Sequence, residues 1–124
     1  AGEELSYAAV NRRANQLAHK LRELGVGPDA LVGISVERSL EMVIGLVAII
    51  KAGGAYVPLD PDYPQDRLAY MIEDSGVQLL LTQKALVDRL PIPADIQSLC
   101  LDQLDLNGYS DANPSLHTVP ENLA

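Results

Sequence analysis

Few side chains in this chain have a type and spacing that could do chemistry. The first candidate is the pair Gly53-Gly54 within Lys51-Ala52-Gly53-Gly54-Ala55-Tyr56-Val57-Pro58-Leu59-Asp60-Pro61. A glycine pair can cradle a phosphate when it follows a strand and opens a helix, whose free N–H groups and positive dipole end then face the anion. Here the order is reversed: an apolar helix, then the glycines, then a short strand. Gly53 therefore reads as a left-handed helix cap, and Gly54 as room for close passage of backbone. Gly25-Val26-Gly27 fails as a cradle for the same reason, and neither a Walker A sequence nor a dinucleotide fingerprint occurs.

Two strand-to-helix junctions could still offer N–H groups to an anion, Val36-Glu37-Arg38-Ser39 and Leu81-Thr82-Gln83-Lys84. The first puts the Glu37 carboxylate where the anion would go, with Arg38 as an offset; the second has no glycine. Helix capping explains both. His19 and His117 lack a companion His or Cys at metal-ligand spacing, which argues against zinc. Glu41, Glu73 and Asp74 are scattered over helix faces, and the adjacent pair splays apart, whereas acid–base work needs two converging carboxylates. The serines lack a nucleophile elbow. Asp60-Pro61-Asp62-Tyr63-Pro64 could line a groove or a partner surface. Turn geometry is the simpler account, since two prolines fix φ and aim the next helix onto the sheet. No catalytic, cofactor-binding or metal-binding residue is assigned.

The elements that carry these positions follow from hydrophobic spacing. Ser6 is placed as an N-cap, and Val10, Ala14, Leu17, Ala18, Leu21 and Leu24 recur at helical spacing until Gly25 stops the run. Gly27-Pro28-Asp29 is a turn, and Leu31 to Val36 a buried strand. Ser39 caps a second helix reaching about Ala52. Its Met42, Val43, Ile44, Leu46, Val47, Ile49 and Ile50 cover most of the circumference, so it needs cover on more than one side. Tyr56-Val57-Pro58-Leu59 is a strand at a sheet edge or ending at Pro58, which cannot donate to a ladder. Pro64 opens a third helix with Leu68, Met71 and Ile72 on one face, closed by Ser75-Gly76. Val77 to Leu81 is a strand, Thr82 caps a short helix through Leu90, and Ile96 to Leu101 is the last strand. Alternating strands and helices predict an α/β fold: a mostly parallel sheet of about four strands with helices on both faces.

This organisation gives residues 1–102 as an α/β unit and 103–124 as an irregular, mobile tail, built of turn formers such as Asn107-Gly108 and Asn113-Pro114. The 124 residues, 48% hydrophobic, suffice for a single core that buries roughly two-thirds of the unfolded surface. Nine Lys and Arg against 17 Asp and Glu leave a net charge of −8, which disfavours nucleic acid or an anionic membrane as partner. The cluster Arg12, Arg13, Lys20 and Arg22 reads as a solvated helix face. Cys100 stands alone in Leu99-Cys100-Leu101 and is expected to be a small core residue. The longest apolar run, Met42 to Ile50, is too short to span a bilayer, and no leader is evident, so a cytoplasmic location is expected.

The Lys51 to Pro61 segment with Tyr63-Pro64 resembles the second core motif of the adenylation domains of nonribosomal peptide synthetases. Leu5-Ser6-Tyr7, with Asn11 to Ala18, resembles the first. The resemblance runs from about Glu4 to the C-terminus and is weakest between Lys84 and Thr118. It departs from the common pattern at Ala9, Val10 and Ile50. It implies the large N-terminal subdomain of an adenylate-forming enzyme that activates an amino acid with ATP and magnesium, then loads it onto a carrier-domain phosphopantetheine. It further implies that the phosphate loop follows soon after Pro120 to Ala124, and that the matching residues here are scaffold. The partners implied are the remainder of the adenylation domain and the condensation and carrier domains. An incomplete scaffold is also expected to self-associate through exposed apolar surface. A second reading is a free-standing doubly wound module holding a nucleotide or partner at its strand C-termini.

Overall fold

A computed structural model describes residues 6–37 and 39–114. Leu5, Arg38, His117 and Pro120 to Ala124, which carried expectations above, lie outside them. The elements are α1 (Tyr7–Glu23), β1 (Leu31–Ile34), α2 (Leu40–Lys51), β2 (Ala55–Pro58), α3 (Gln65–Ser75), β3 (Leu79–Thr82), α4 (Lys84–Val87), β4 (Gln97–Cys100) and a 3-10 turn, Leu101–Gln103. The four strands form one parallel sheet in the order β2-β1-β3-β4. The chain thus winds outward through β1 and β2, then crosses back to β3 and β4. The α2 crossover runs one way across the sheet and the α3 crossover the other, so right-handed connection puts these two helices on opposite faces.

Local chemistry sets the element ends. The Ser6 hydroxyl accepts the Ala9 N–H at 3.1 Å, and the Ser39 hydroxyl accepts from Met42. Two helices end in the same six-residue device. At α1, Gly25 N–H donates to Arg22 and Val26 N–H to Leu21; at α2, Gly53 N–H donates to Ile50 and Gly54 N–H to Ile49. Gly25 and Gly53 take φ of +102° and +95°, as the left-handed position of this cap requires.

One core lies on the face covered by α1 and α2, built from Leu17, Leu21, Val32, Ile34, Ile49 and Leu81 among others. The second lies on the α3 face and gathers Leu59, Leu68, Ile72, Val77, Leu80 and Leu90. The further layer that α2 needs is α1, which packs along it. An outer strip of α2 stays uncovered: Val43 is 48% and Ile50 60% exposed.

Four expectations need correction. Thr82 is the last residue of β3 and wholly buried; Gln83 precedes α4, which stops at Val87 because the following residues turn toward Pro91 and Pro93. β1, β3 and β4 are each shorter than the run read for them, and β2 starts and ends one residue earlier than Tyr56 to Leu59. Cys100 is half-buried, while Leu99 and Leu101 take the core positions on either side. Residues 104–114 are irregular but fastened. Leu106 and Pro114 are buried, and a row of α1 side chains holds their backbone. Asn15 Nδ2 donates to the Asp111 carbonyl at 2.9 Å, Gln16 Nε2 to Leu106 and Tyr109 at 3.1 and 3.3 Å, and His19 Nε2 lies 3.0 Å from the Ala112 carbonyl.

Candidate functional site

The glycine pair is filled from within. A Cβ on Gly54 would stand 2.8 Å from Val26 Cγ1 and 3.2 Å from the Ala30 carbonyl oxygen, so the close passage is between the two helix ends themselves. Gly53 packs on Gly27. The N–H groups of both glycines are spent on α2 carbonyls. An anion would meet the negative end of a helix here, with no free donor.

The doubly wound order places its switch point between the C-terminal ends of β1 and β3, where such sheets bind ligands. Gln83 occupies that crevice. Its Oε1 accepts the Glu37 N–H at 2.9 Å and its Nε2 donates to Glu41 Oε1 at 2.5 Å. The junction therefore holds two carboxylates and one amide bridge, which repels phosphate; Ser39 caps α2, and the Gln83 side chain makes no cap on α4. Ser35 and Thr82 sit beside each other on these strands, and their buried hydroxyls have no partner among the described residues. His19 serves the 104–114 backbone. Glu73 and Asp74 are exposed on α3. No group of three or more His, Cys, Asp or Glu able to hold a metal occurs among the described residues. No described helix is long and apolar enough to cross a membrane.

A cleft of about 700 Å³ lies at the C-terminal ends of β1 and β2. It is lined by Ile34 of β1, by Val36 and Glu37 after it, by Met42 and Leu46 of α2, by Tyr56 and Pro58 of β2, and by Leu59 to Tyr63. The Asp60 to Pro64 corner thus does more than turn the chain. Asp60 Oδ1 accepts the Asp62 N–H at 2.9 Å and its carbonyl accepts from Tyr63 at 3.0 Å, which holds the corner rigid along one wall. Sequence reasoning admits this groove reading but favours turn geometry alone. The cleft depends on β2 lying at the sheet edge beside α2, a pairing that spacing does not reveal. Of the motif residues named above, Tyr56, Pro58, Leu59, Asp60 and Pro61 line the cleft; Gly53 and Gly54 sit at the opposite end of β2, and Ser6 caps α1.

The chain belongs to the AMP-binding enzyme family, whose sequence model matches residues 1–122. Within that family its similarity is to the N-terminal part of nonribosomal peptide synthetase adenylation domains. It is 52% identical over 118 residues to tyrocidine synthase 3 of Brevibacillus parabrevis, covering 95% of this chain and 2% of that one. The nonribosomal peptide synthetase FmoA3, solved with α-methyl-L-serine-AMP bound, superposes with a TM-score of 0.86 at 36% identity, over 94% of this chain and 13% of that one. The N-terminal subdomain of Klebsiella oxytoca NpsA shares the fold, with a TM-score of 0.74 at 22% identity, over 90% of this chain and 28% of that one. The chain therefore spans a small share of each of these proteins. A free-standing module is not favoured by these matches.

Proposed function

We propose that this chain is the scaffold end of an amino-acid adenylation domain in a nonribosomal peptide synthetase. The parent domain would join an amino acid to ATP, releasing pyrophosphate, and pass the aminoacyl group to a carrier-domain phosphopantetheine thiol. Magnesium would accompany the ATP, and a condensation domain would be a neighbour. The observation that carries this reading is family identity extending across both cores of the sheet while the described residues contain no anion cradle. ATP does not fit at Gly53-Gly54 or at the Gln83 junction, so no chemical step is assigned to residues of this chain. Their part is to build the sheet, two helix layers and the cleft wall against which the catalytic parts pack. The 124 residues alone would be inactive and would associate through the uncovered α2 strip.

Amino-acid-dependent exchange of pyrophosphate into ATP tests the reading on a whole adenylation domain carrying this stretch. Exchange with at least one amino acid of a broad panel is expected. A folded whole domain that exchanges with none would sink the proposal. Saturable micromolar binding of ATP to the isolated chain would favour the free-standing module instead.

A further inference from the structure

Asn107-Gly108 forms the tip of the segment that α1 fastens. The Tyr109 N–H donates to the Leu106 carbonyl at 3.0 Å, so Asn107 and Gly108 are the two central residues of a turn. Asp105 Oδ1 accepts the Asn107 N–H at 3.0 Å. Both tip residues are exposed, and a Cβ on Gly108 would meet nothing within 4 Å. On either side the chain is held: Leu106 is buried, and Gln16 Nε2 donates to the Leu106 and Tyr109 carbonyls.

We propose that Asn107 is a site of spontaneous modification, and that the change releases residues 106–112 from α1. The Gly108 nitrogen attacks Asn107 Cγ. The new N–Cγ bond forms as Cγ–Nδ2 breaks, and Nδ2 leaves as ammonia with the proton from the Gly108 N–H. Water then opens the cyclic imide at one of its two carbonyls. Attack at Cγ gives aspartate; attack at the main-chain carbon gives isoaspartate, in which the backbone runs through Cβ. Nothing is oxidised or reduced, and water is the only co-reactant.

The surroundings single out this asparagine. The Gly108 N–H has no acceptor among the described residues, whereas the N–H groups that follow Asn11 and Asn15 belong to the α1 ladder. Asn15 is 2% exposed, with its Nδ2 committed to the Asp111 carbonyl. Asn113 precedes Pro114, whose nitrogen carries no proton to give up. The product matters because Gln16 spans the two flanking carbonyls at 3.1 and 3.3 Å. Isoaspartate adds a backbone atom between them and moves one out of reach. Either product also sets a second carboxylate beside Asp105, in a chain whose net charge is already −8.

The test ages a whole adenylation domain carrying this stretch in heavy-oxygen water at neutral pH, followed by peptide mass spectrometry. Asn107 is expected to become a labelled carboxylate severalfold faster than Asn11, Asn15, Asn113 or Asn122, with isoaspartate among the products. Gly108→Ala crowds the attacking nitrogen, yet the open tip and the absence of a positive φ at Gly108 let the fold accept it. It is expected to slow the change severalfold and leave the melting temperature where it was. In aged protein, separated by its added charge, hydrogen exchange of amides 106–112 is expected to rise severalfold while β1 and β3 stay protected. A rate at Asn107 no higher than at the other asparagines, or conversion seen only in urea, would overturn the site. Indifference to Gly108→Ala would overturn attack by the main-chain nitrogen, and unaltered exchange in the aged protein would overturn the release.

Discussion

Gly54 sits where two helix ends touch, and any side chain there must displace one of them. The obstruction comes from the branched Val26 side chain and the Ala30 carbonyl, which already accepts the Ala55 N–H at 2.9 Å. Neither has a free direction of retreat. Gly54→Ala is therefore expected to destabilise the isolated chain by about 1–3 kcal/mol, as overpacking does; a melting temperature unchanged by the substitution would refute the contact. Gly108, with nothing within 4 Å of a Cβ, is a suitable comparison. Cys100 illustrates a different control. Burial raises its pKa first, and the Asp102 and Asp88 carboxylates add to the rise, with Lys84 opposing. Because the thiolate is the nucleophile, alkylation at neutral pH is expected to be slower than for a free thiol, and its increase with pH to come later. A rate profile centred at the ordinary thiol value would contradict this.

Among the elements, α2 shows what hydrophobic spacing can and cannot decide. Its caps are legible from Ser39 and Gly53, because those interactions close within a few residues. Its burial is not, because seven large apolar side chains were all candidates for the core. The fold sorts them. Ile49 has no exposed surface, whereas Leu46 is half-buried on the cleft wall and Ile50 is 60% exposed. Ile49→Ala is expected to cost about 2–5 kcal/mol, since a rigid surround leaves a cavity. Leu46→Ala is expected to cost less than half as much in the isolated chain. Chemical denaturation of both variants checks the order, and equal losses would mean that the cleft is closed in solution.

At the scale of the whole molecule, the parts hidden from sequence are those joined across long separations. The four strands, their parallel sense and both glycine caps could be read, since each follows from local periodicity or a turn. Pro58 marked β2 as an edge strand or one that ends there, and it is both; which strand pairs with it, and with that the cleft, needed the strand order. The fastening of residues 104–114 needed pairs some ninety positions apart: Asn15 to Asp111, Gln16 to Leu106 and Tyr109, Lys20 to the Tyr109 hydroxyl at 3.3 Å. Turn-forming composition suggested a loose tail because it carries no account of who donates to its carbonyls. Every one of the backbone contacts is made by a side chain of α1, so this segment is held by helix donors rather than by a ladder of its own. Gln16→Met keeps length and volume but removes two of those donors. It is expected to cost about 1 kcal/mol by leaving the half-buried Tyr109 carbonyl without its donor, while the Leu106 carbonyl keeps the Tyr109 N–H at 3.0 Å. Hydrogen exchange would locate the effect: amides of 106–112 are expected to lose protection while those of β1 and β3 keep theirs, since the sheet core does not depend on this clamp. If exchange in 106–112 stayed unchanged, the segment would owe its place to Leu106 and Pro114 alone, and the polar row on α1 would be ornament rather than fastening.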